Sequence, residues 1–181
     1  MREISLHILD IAQNSIAAGA SRVTIRAEAD DERDTLTVSV DDDGRGMTPE
    51  FLARITDPFT TTRTTRKVGL GIPMLQAAAE STGGGLEIRS ELGAGTTISA
   101  VFGLGHIDRE PYGDIVGTIV TLIVPNPEMR IRYEHAVNGR EFVLDTDELK
   151  AHLGDVPVSD PLVGSMMRVR TASVSSTAVR S

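Results

Sequence analysis

The sequence from residue 35 to residue 47 reads Thr-Leu-Thr-Val-Ser-Val-Asp-Asp-Asp-Gly-Arg-Gly-Met. Leu36, Val38 and Val40 alternate with hydroxyl side chains, which predicts a half-buried β-strand that ends in three aspartates and a glycine-rich turn. A carboxylate at a strand end can accept a hydrogen bond from an exocyclic amine, and glycines let a flat ligand lie against the backbone. The stretch therefore predicts a ligand site at the end of a sheet strand.

Two other interpretations of the same stretch stay open at this level. The aspartates could form a solvated acidic turn, or a calcium loop of the EF-hand type. The calcium loop would use Ser39, Asp41, Asp43, Gly44 and Glu50 at loop positions one, three, five, six and twelve. The preceding strand, the serine in first place and a glycine at a normally apolar position count against calcium.

Periodic patterns on both sides predict helices and antiparallel strands in one chain. Ile4, Ile8, Ile11 and Ser15 recur at helical spacing, which predicts a helix over residues 3–18. The other predicted elements are a strand near 23–27, helices over 48–56, 72–82 and 145–153, hairpins over 86–103 and 129–145, and a buried strand over 117–124. This mixture places the chain in the α+β class.

The first predicted helix carries a polar stripe of His7, Asp10 and Asn14. Asp10 and Asn14 are four residues apart and share a helix face. A carboxylate and an amide oxygen there could hold a hydrated Mg²⁺ and orient a water molecule. An ordinary solvated helix face would show the same pattern.

A second glycine segment, Gly69-Leu70-Gly71, precedes another predicted helix. Free backbone N–H groups at a helix N-terminus favour an anion such as a phosphate, although a simple glycine turn would look the same. Arg63, Arg66 and Lys67 lie just upstream and could add positive charge. The chain contains neither a Gly-Lys-Ser/Thr phosphate loop nor a Gly-x-Gly-x-x-Gly dinucleotide fingerprint.

Composition narrows the function class further. With 181 residues, the chain predicts one domain with a small appendage at most. The absence of cysteine excludes disulfides, thiolate metal sites and cysteine nucleophiles. A net charge of −8 and six aromatic residues argue against nucleic-acid binding. No apolar run approaches the ~20 residues of a membrane span, and the N-terminus lacks a signal-peptide core, so we expect a cytoplasmic protein without membrane contact.

Taken in order, these segments resemble the motifs of the GHKL ATPases, the family of gyrase, Hsp90, histidine kinases and MutL. The asparagine box is similar to residues 10–20, and the first glycine box is similar to residues 42–47. Asp57-Pro58-Phe59 resembles the phenylalanine box, residues 69–72 resemble the second glycine box, and Gly95-Thr96 resembles the terminal Gly-Thr. The resemblance covers residues 1–103 and is to a stand-alone histidine-kinase-like ATP-binding protein.

The resemblance implies a two-layer α/β sandwich, the Bergerat ATP-binding fold, with a mixed, mostly antiparallel sheet and about three helices on one face. It implies an ATP-binding domain over 1–103, a β-rich extension or docking segment over 104–170 that could extend the sheet, and a disordered tail over 171–181. ATP and Mg²⁺ are the implied cofactors, ADP the implied product.

Site roles also follow from the resemblance. It implies that Asn14 ligates Mg²⁺ and that Asp42 binds the adenine amine with support from Thr96. Residues 60–68 would be an ATP lid. The remaining implied binding residues are Gly44, Gly46 and Met47 at the base, Gly69, Leu70 and Gly71 at the phosphates, and Arg66. Asp10 would orient the attacking water or hydroxyl, and Lys67 would stabilise charge on the γ-phosphate.

The sequence departs from the family at one position that matters for chemistry. Hydrolysing members have a glutamate where this chain has Asp10, which is one methylene shorter. Because the first helix begins at residue 3 and none of the four histidines has a phosphoacceptor context, we expect something other than a complete histidine kinase.

Two functions therefore stay open. The first is a regulatory enzyme that hydrolyses ATP slowly or phosphorylates a protein partner in trans, as anti-sigma kinases do. The second is a non-hydrolysing ATP sensor whose lid gates partner binding. Both imply a protein partner, and both allow a homodimer.

Overall fold

The computed structural model describes residues 3–56 and 71–154, and beyond them residues 156, 157, 160, 163, 165 and 166. Within these ranges helices and strands alternate around one sheet. In chain order they are α1 (Ile4–Ala17), β1 (Arg22–Asp30), β2 (Thr35–Asp42), α2 (Pro49–Thr56), α3 (Gly71–Glu80), β3 (Gly85–Glu91), β4 (Gly95–Gly103), α4 (Ile115–Ile123), β5 (Arg130–Val137), β6 (Arg140–Asp145) and α5 (Thr146–Leu153).

The six strands form a single sheet in the order β3-β4-β2-β1-β5-β6. β5 runs parallel to β1, and every other neighbouring pair is antiparallel. Helix α1 packs against both α3 and α4. The prediction of an α+β sandwich with a mixed, mostly antiparallel sheet is confirmed.

The hydrophobic core lies between the helices and one face of the sheet. Ile4, Ile8 and Ile11 of α1 are each at most 2% exposed, as their helical spacing predicts. On β2, Val38 and Val40 point into the same core while the hydroxyl residues between them face the other way. Burying each such side chain contributes roughly 1.5–3 kcal/mol, which fixes α1 against the end of β2.

The predicted strand over 117–124 is wrong, because this segment is helix α4. Its apolar residues Ile115, Ile119, Leu122 and Ile123 fall on one side of a helix and are buried. Asp114 caps the helix, since its Oδ1 accepts a hydrogen bond from the N–H of Gly117 at 2.8 Å. The β-branched residues suggest a strand by propensity, and packing on α1 overrides that preference.

The segment after residue 104 extends the sheet and also fixes α1. The Asn138-Gly139 turn has the positive φ angles of a two-residue hairpin, 48° and 80°, and places β6 beside β5. The carbonyls of Pro111 and Tyr112 accept hydrogen bonds from Ile4 N and Ser5 N. These contacts satisfy backbone donors that the N-terminus of a helix otherwise leaves free.

No helix in the described part of the chain combines the length and apolarity that crossing a bilayer requires.

Candidate functional site

An open cavity of about 510 Å³ lies beside α1, at the ends of β2 and β4. Its volume is within the range of small-molecule sites. The apolar part of its wall comes from α1, α2, α3 and β4 and includes Ile11, Met47, Phe51, Ile55, Ile72 and Ile98. Its polar lining includes Asn14, Ser15, Asp42, Arg45, Thr48 and Thr96.

Asp42 is the buried charge of this cavity, with 8% of its surface exposed. Its Oδ2 accepts a hydrogen bond from Ser15 Oγ at 2.6 Å, and its Oδ1 accepts one from Gly44 N at 2.9 Å. A carboxylate offers about four lone-pair sites, so two protein donors leave room for a ligand donor. The geometry therefore provides a fixed acceptor facing the cavity.

The neighbouring Asp41 has a different task. It precedes Asp42 on β2, so its side chain points to the opposite face of the sheet. There its Oδ2 accepts a hydrogen bond from Thr97 Oγ1 at 2.7 Å. Ser39 also belongs to β2 and not to a loop. The calcium-loop interpretation is therefore contradicted, because its first two ligands lie in a strand.

Asp43 anchors the glycine turn to the segment between α1 and β1. It accepts hydrogen bonds from Ser21 Oγ at 2.6 Å and from Ser21 N and Arg22 N at 2.8 Å. Burial raises the pKa of Asp43, but these hydrogen bonds outweigh it and bring the pKa below its ordinary value. Of the three consecutive aspartates, only Asp42 faces the cavity.

Two glycines allow the turn after Asp42 to approach the β3–β4 hairpin. Gly46 has φ 63°, and a Cβ there would overlap the carbonyl of Glu91. Gly95 has φ 112°, and a Cβ there would overlap the carbonyl of Asp42. Only glycine adopts both the conformation and the close contact, which brings Met47 into the cavity wall.

Ser90 connects three parts of the cavity by its hydroxyl. Ser90 Oγ accepts a hydrogen bond from Met47 N at 2.9 Å, donates to the Gly95 carbonyl at 2.9 Å, and lies 2.8 Å from Thr96 Oγ1. Sequence reasoning identified Thr96 but missed Ser90 and Ser15. Ser15 directly follows Asn14 in the sequence, whereas the position of Ser90 opposite Thr96 requires the strand register.

The polar stripe predicted on α1 divides in the structure. Asn14 is exposed and lines the cavity, and Asp10 is exposed one turn earlier on the helix. His7 is instead buried, with its Nε2 2.8 Å from Oε2 of Glu110. Asp10 lies next to the start of α3, because a Cβ on Gly71 would be 2.9 Å from Asp10 Cβ.

The predicted residues thus fall into three groups. Asn14, Asp42, Gly46, Met47 and Thr96 line one cavity. Gly44 contributes its backbone N–H to Asp42, and Gly71 is adjacent to Asp10 at the edge of the site. The predicted lid over 60–68, Asp57-Pro58-Phe59, Arg66, Lys67, Gly69 and Leu70 lie outside the described residues.

Comparison with known proteins gives matches to sensor kinases. The chain is 34% identical over 124 residues to the non-motile and phage-resistance protein of Caulobacter vibrioides, covering 64% of this chain and 15% of that protein. It is 34% identical over 103 residues to the histidine protein kinase DivJ of Caulobacter vibrioides (55% and 17% covered). It is 36% identical over 97 residues to the sensor protein kinase FleS of Pseudomonas aeruginosa (54% and 24% covered). The chain therefore spans less than a quarter of the length of these relatives.

Among solved structures, the chain is similar to the Aquifex aeolicus MutL ATPase domain complexed with ADP. The sequence identity is 15% and the TM-score is 0.45, over 84% of this chain and 67% of that one.

The family model described as "Histidine kinase-, DNA gyrase B-, and HSP90-like ATPase" matches residues 2–106, which is more than half of the chain. The match contains α1, the Asp42 turn and the β3–β4 hairpin, the elements that form the cavity. The chain belongs to the histidine kinase-, DNA gyrase B- and HSP90-like ATPases.

Proposed function

We propose that this chain binds Mg²⁺·ATP in the Asp42 cavity, and that it hydrolyses ATP slowly or transfers the γ-phosphate to a protein partner in trans. The observation that carries the proposal is the Asp42 carboxylate, which is held by Ser15 and Gly44 and still faces an open, largely apolar cavity. A fixed acceptor in an apolar slot is the arrangement that an aromatic ring with an exocyclic amine requires. The adenine amine would donate to Asp42.

The phosphate end of the nucleotide would lie along the exposed face of α1. The side-chain oxygen of Asn14 is of the hard oxygen type that Mg²⁺ prefers, and Asn14 lines the cavity. The described residues contain no group of three histidine or acidic side chains that could hold a metal ion. Asn14 would therefore share the ion with phosphate oxygens and water. When bound, Mg²⁺ neutralises phosphate charge.

The chemistry would fall to Asp10, one turn from Asn14. Its carboxylate would orient a water molecule or a partner hydroxyl and accept the proton as the oxygen attacks the γ-phosphorus. The bond from the γ-phosphorus to the bridging oxygen breaks and ADP leaves. Lys67 or Arg66 would stabilise the charge on the transferring phosphoryl group.

A second candidate function is an ATP sensor without turnover. It is favoured by the side chain at residue 10, which is shorter than the glutamate of hydrolysing relatives and lies against Gly71 instead of lining the cavity. Asp10→Glu separates the two functions. An enzyme with impaired geometry gains hydrolysis from the longer acid, whereas a sensor keeps its ATP affinity and gains none.

Isothermal titration with Mg²⁺·ATP and Mg²⁺·ADP, followed by an overnight phosphate-release assay, tests the proposal. Wild-type protein is expected to bind both nucleotides, and Asp42→Asn is expected to abolish binding. Asp41→Asn is the matched control, because Asp41 lies on the opposite face of β2 and should leave binding unchanged. Retained ATP affinity in Asp42→Asn would contradict the site. Binding without phosphate release would favour the sensor, and pull-downs with and without ATP would then seek its partner.

A further inference from the structure

We propose that Ser90 is a specificity-determining residue, which makes the floor of the cavity an acceptor-only surface by taking the hydroxyl proton of Thr96. The inference rests on the proposed adenine site. Ser90, Thr96 and Asp42 occupy paired positions on the adjacent strands β3, β4 and β2. Directly opposed residues of antiparallel strands point to the same face, so the three side chains form one polar row.

The direction of the Ser90–Thr96 hydrogen bond follows from counting protons. A serine hydroxyl has one proton and two lone pairs. The proton of Ser90 is donated to the Gly95 carbonyl at 2.9 Å, and one lone pair accepts from Met47 N at 2.9 Å. The 2.8 Å contact with Thr96 Oγ1 must then use the second lone pair of Ser90. Thr96 is therefore the donor in this contact, and its oxygen keeps only lone pairs for the cavity.

The Asp42 end of the row has the same polarity. Asp42 accepts hydrogen bonds from Ser15 and Gly44, so its remaining lone pairs are acceptors. A ligand edge that meets Asp42 and Thr96 together must donate. A 6-amino group satisfies this surface, whereas a 6-oxo group would place a carbonyl oxygen against two acceptors. Ser90 thus disfavours 6-oxopurines although Thr96 lies between it and Asp42.

Three variants separate this role from simple support of the fold. Ser90→Ala removes the acceptor, so the Thr96 hydroxyl can rotate and donate to a ligand carbonyl. Ser90→Thr keeps the hydroxyl on a residue that suits a strand. Ser99→Ala is the matched control, because Ser99 of β4 pairs with Glu87 and Ser39 on the opposite face of the sheet.

The experiment measures the dissociation constants of Mg²⁺·ATP and Mg²⁺·ITP with the full chain, with ITP measured by competition. In Ser90→Ala the ratio Kd(ITP)/Kd(ATP) is expected to fall about fivefold, the value of one neutral hydrogen bond. Ser90→Thr and Ser99→Ala should keep the wild-type ratio. Loosening of the fold alone weakens both nucleotides by the same factor, so an unchanged ratio in Ser90→Ala overturns the inference.

A second variant keeps the inference testable if Ser90→Ala does not fold. Thr96→Val is nearly isosteric and removes the acceptor itself, so the same ratio should also fall, and an unchanged ratio contradicts the inference. Failure of this inference is distinct from failure of the proposed function. If the wild type binds neither nucleotide, both are wrong. If ATP binds and Asp42→Asn abolishes binding while the ratios stay constant, only the role of Ser90 is wrong.

Discussion

Ser15 Oγ lies 2.6 Å from Asp42 Oδ2, a hydrogen bond between residues 27 positions apart in the chain. It joins the buried face of α1 to the end of β2, and therefore joins the helix that carries Asp10 and Asn14 to the carboxylate in the cavity. Both residues are at most 8% exposed, so water does not replace this contact.

Ser15→Ala should weaken nucleotide binding, because Asp42 would lose one of the two donors that orient it. A buried hydrogen bond to a charged group contributes roughly 1.5–3 kcal/mol, so an affinity loss of about tenfold or more is expected. Isothermal titration with Mg²⁺·ATP measures it. Ser39→Ala is the control, since Ser39 lies on the opposite face of β2 and should bind ATP as the wild type does. Equal affinities for the two variants would be inconsistent with this role of Ser15.

Asp10→Asn should separate chemistry from binding. Removing a general base lowers turnover by roughly 10²–10⁴-fold, whereas Asp10 is not among the residues that line the cavity. Phosphate release should therefore fall at least a hundredfold while the dissociation constant of Mg²⁺·ATP changes little. Gln13→Ala, on the same exposed side of α1, should affect neither quantity. Unchanged phosphate release in Asp10→Asn would remove Asp10 from the proposed chemistry.

Gly46→Ala should destabilise the protein far more than Gly93→Ala. Both glycines have positive φ angles, 63° and 84°, so the conformational cost is similar. A Cβ at residue 46 would overlap the Glu91 carbonyl, whereas a Cβ at residue 93 meets nothing within 4 Å. Urea unfolding should show a loss of about 1 kcal/mol for Gly93→Ala and at least 1–3 kcal/mol more for Gly46→Ala. Similar losses would mean that the hairpin does not pack as closely as described.

Asp145 should contribute stability that depends on pH. Burial raises its pKa, but hydrogen bonds from Arg130 and the N–H of Asp147 outweigh burial and hold the pKa below its ordinary value. A folded-state pKa below the unfolded value stabilises the protein above the unfolded pKa, and this stabilisation is lost as the pH falls through the folded pKa. The difference in unfolding free energy between wild type and Asp145→Asn should thus be constant from pH 7 to pH 5 and shrink below about pH 4.

Urea unfolding of both proteins at several pH values measures this difference. Asparagine is also a good N-cap, so the variant keeps the cap of α5 and isolates the charge. Asp43→Asn, on the other side of β1 from β5, gives a second comparison, because the pKa of Asp43 is lowered by its own hydrogen bonds with Ser21 and Arg22. A difference for Asp145→Asn that stays constant down to pH 3 would contradict the assignment.

Local patterns in the sequence determined much of this protein. The stripe of Ile4, Ile8 and Ile11, the alternation in β2 and the Asn138-Gly139 hairpin all appear in the structure as predicted. Each pattern arises within one segment, because the spacing of apolar residues alone fixes which face of a helix or strand is buried. The order of the motifs also indicated the family.

Tertiary structure decided which side chains meet. The sequence Asp41-Asp42-Asp43 does not reveal that only Asp42 faces the cavity, because this depends on the pleat and register of β2 against β4. The roles of Ser15 and Ser90 depend on contacts with partners on other elements. Helix α4 is helical because its apolar side packs on α1, a contact that no local propensity contains. Periodicity is a property of one segment, whereas a site is formed by segments that only the folded chain brings together.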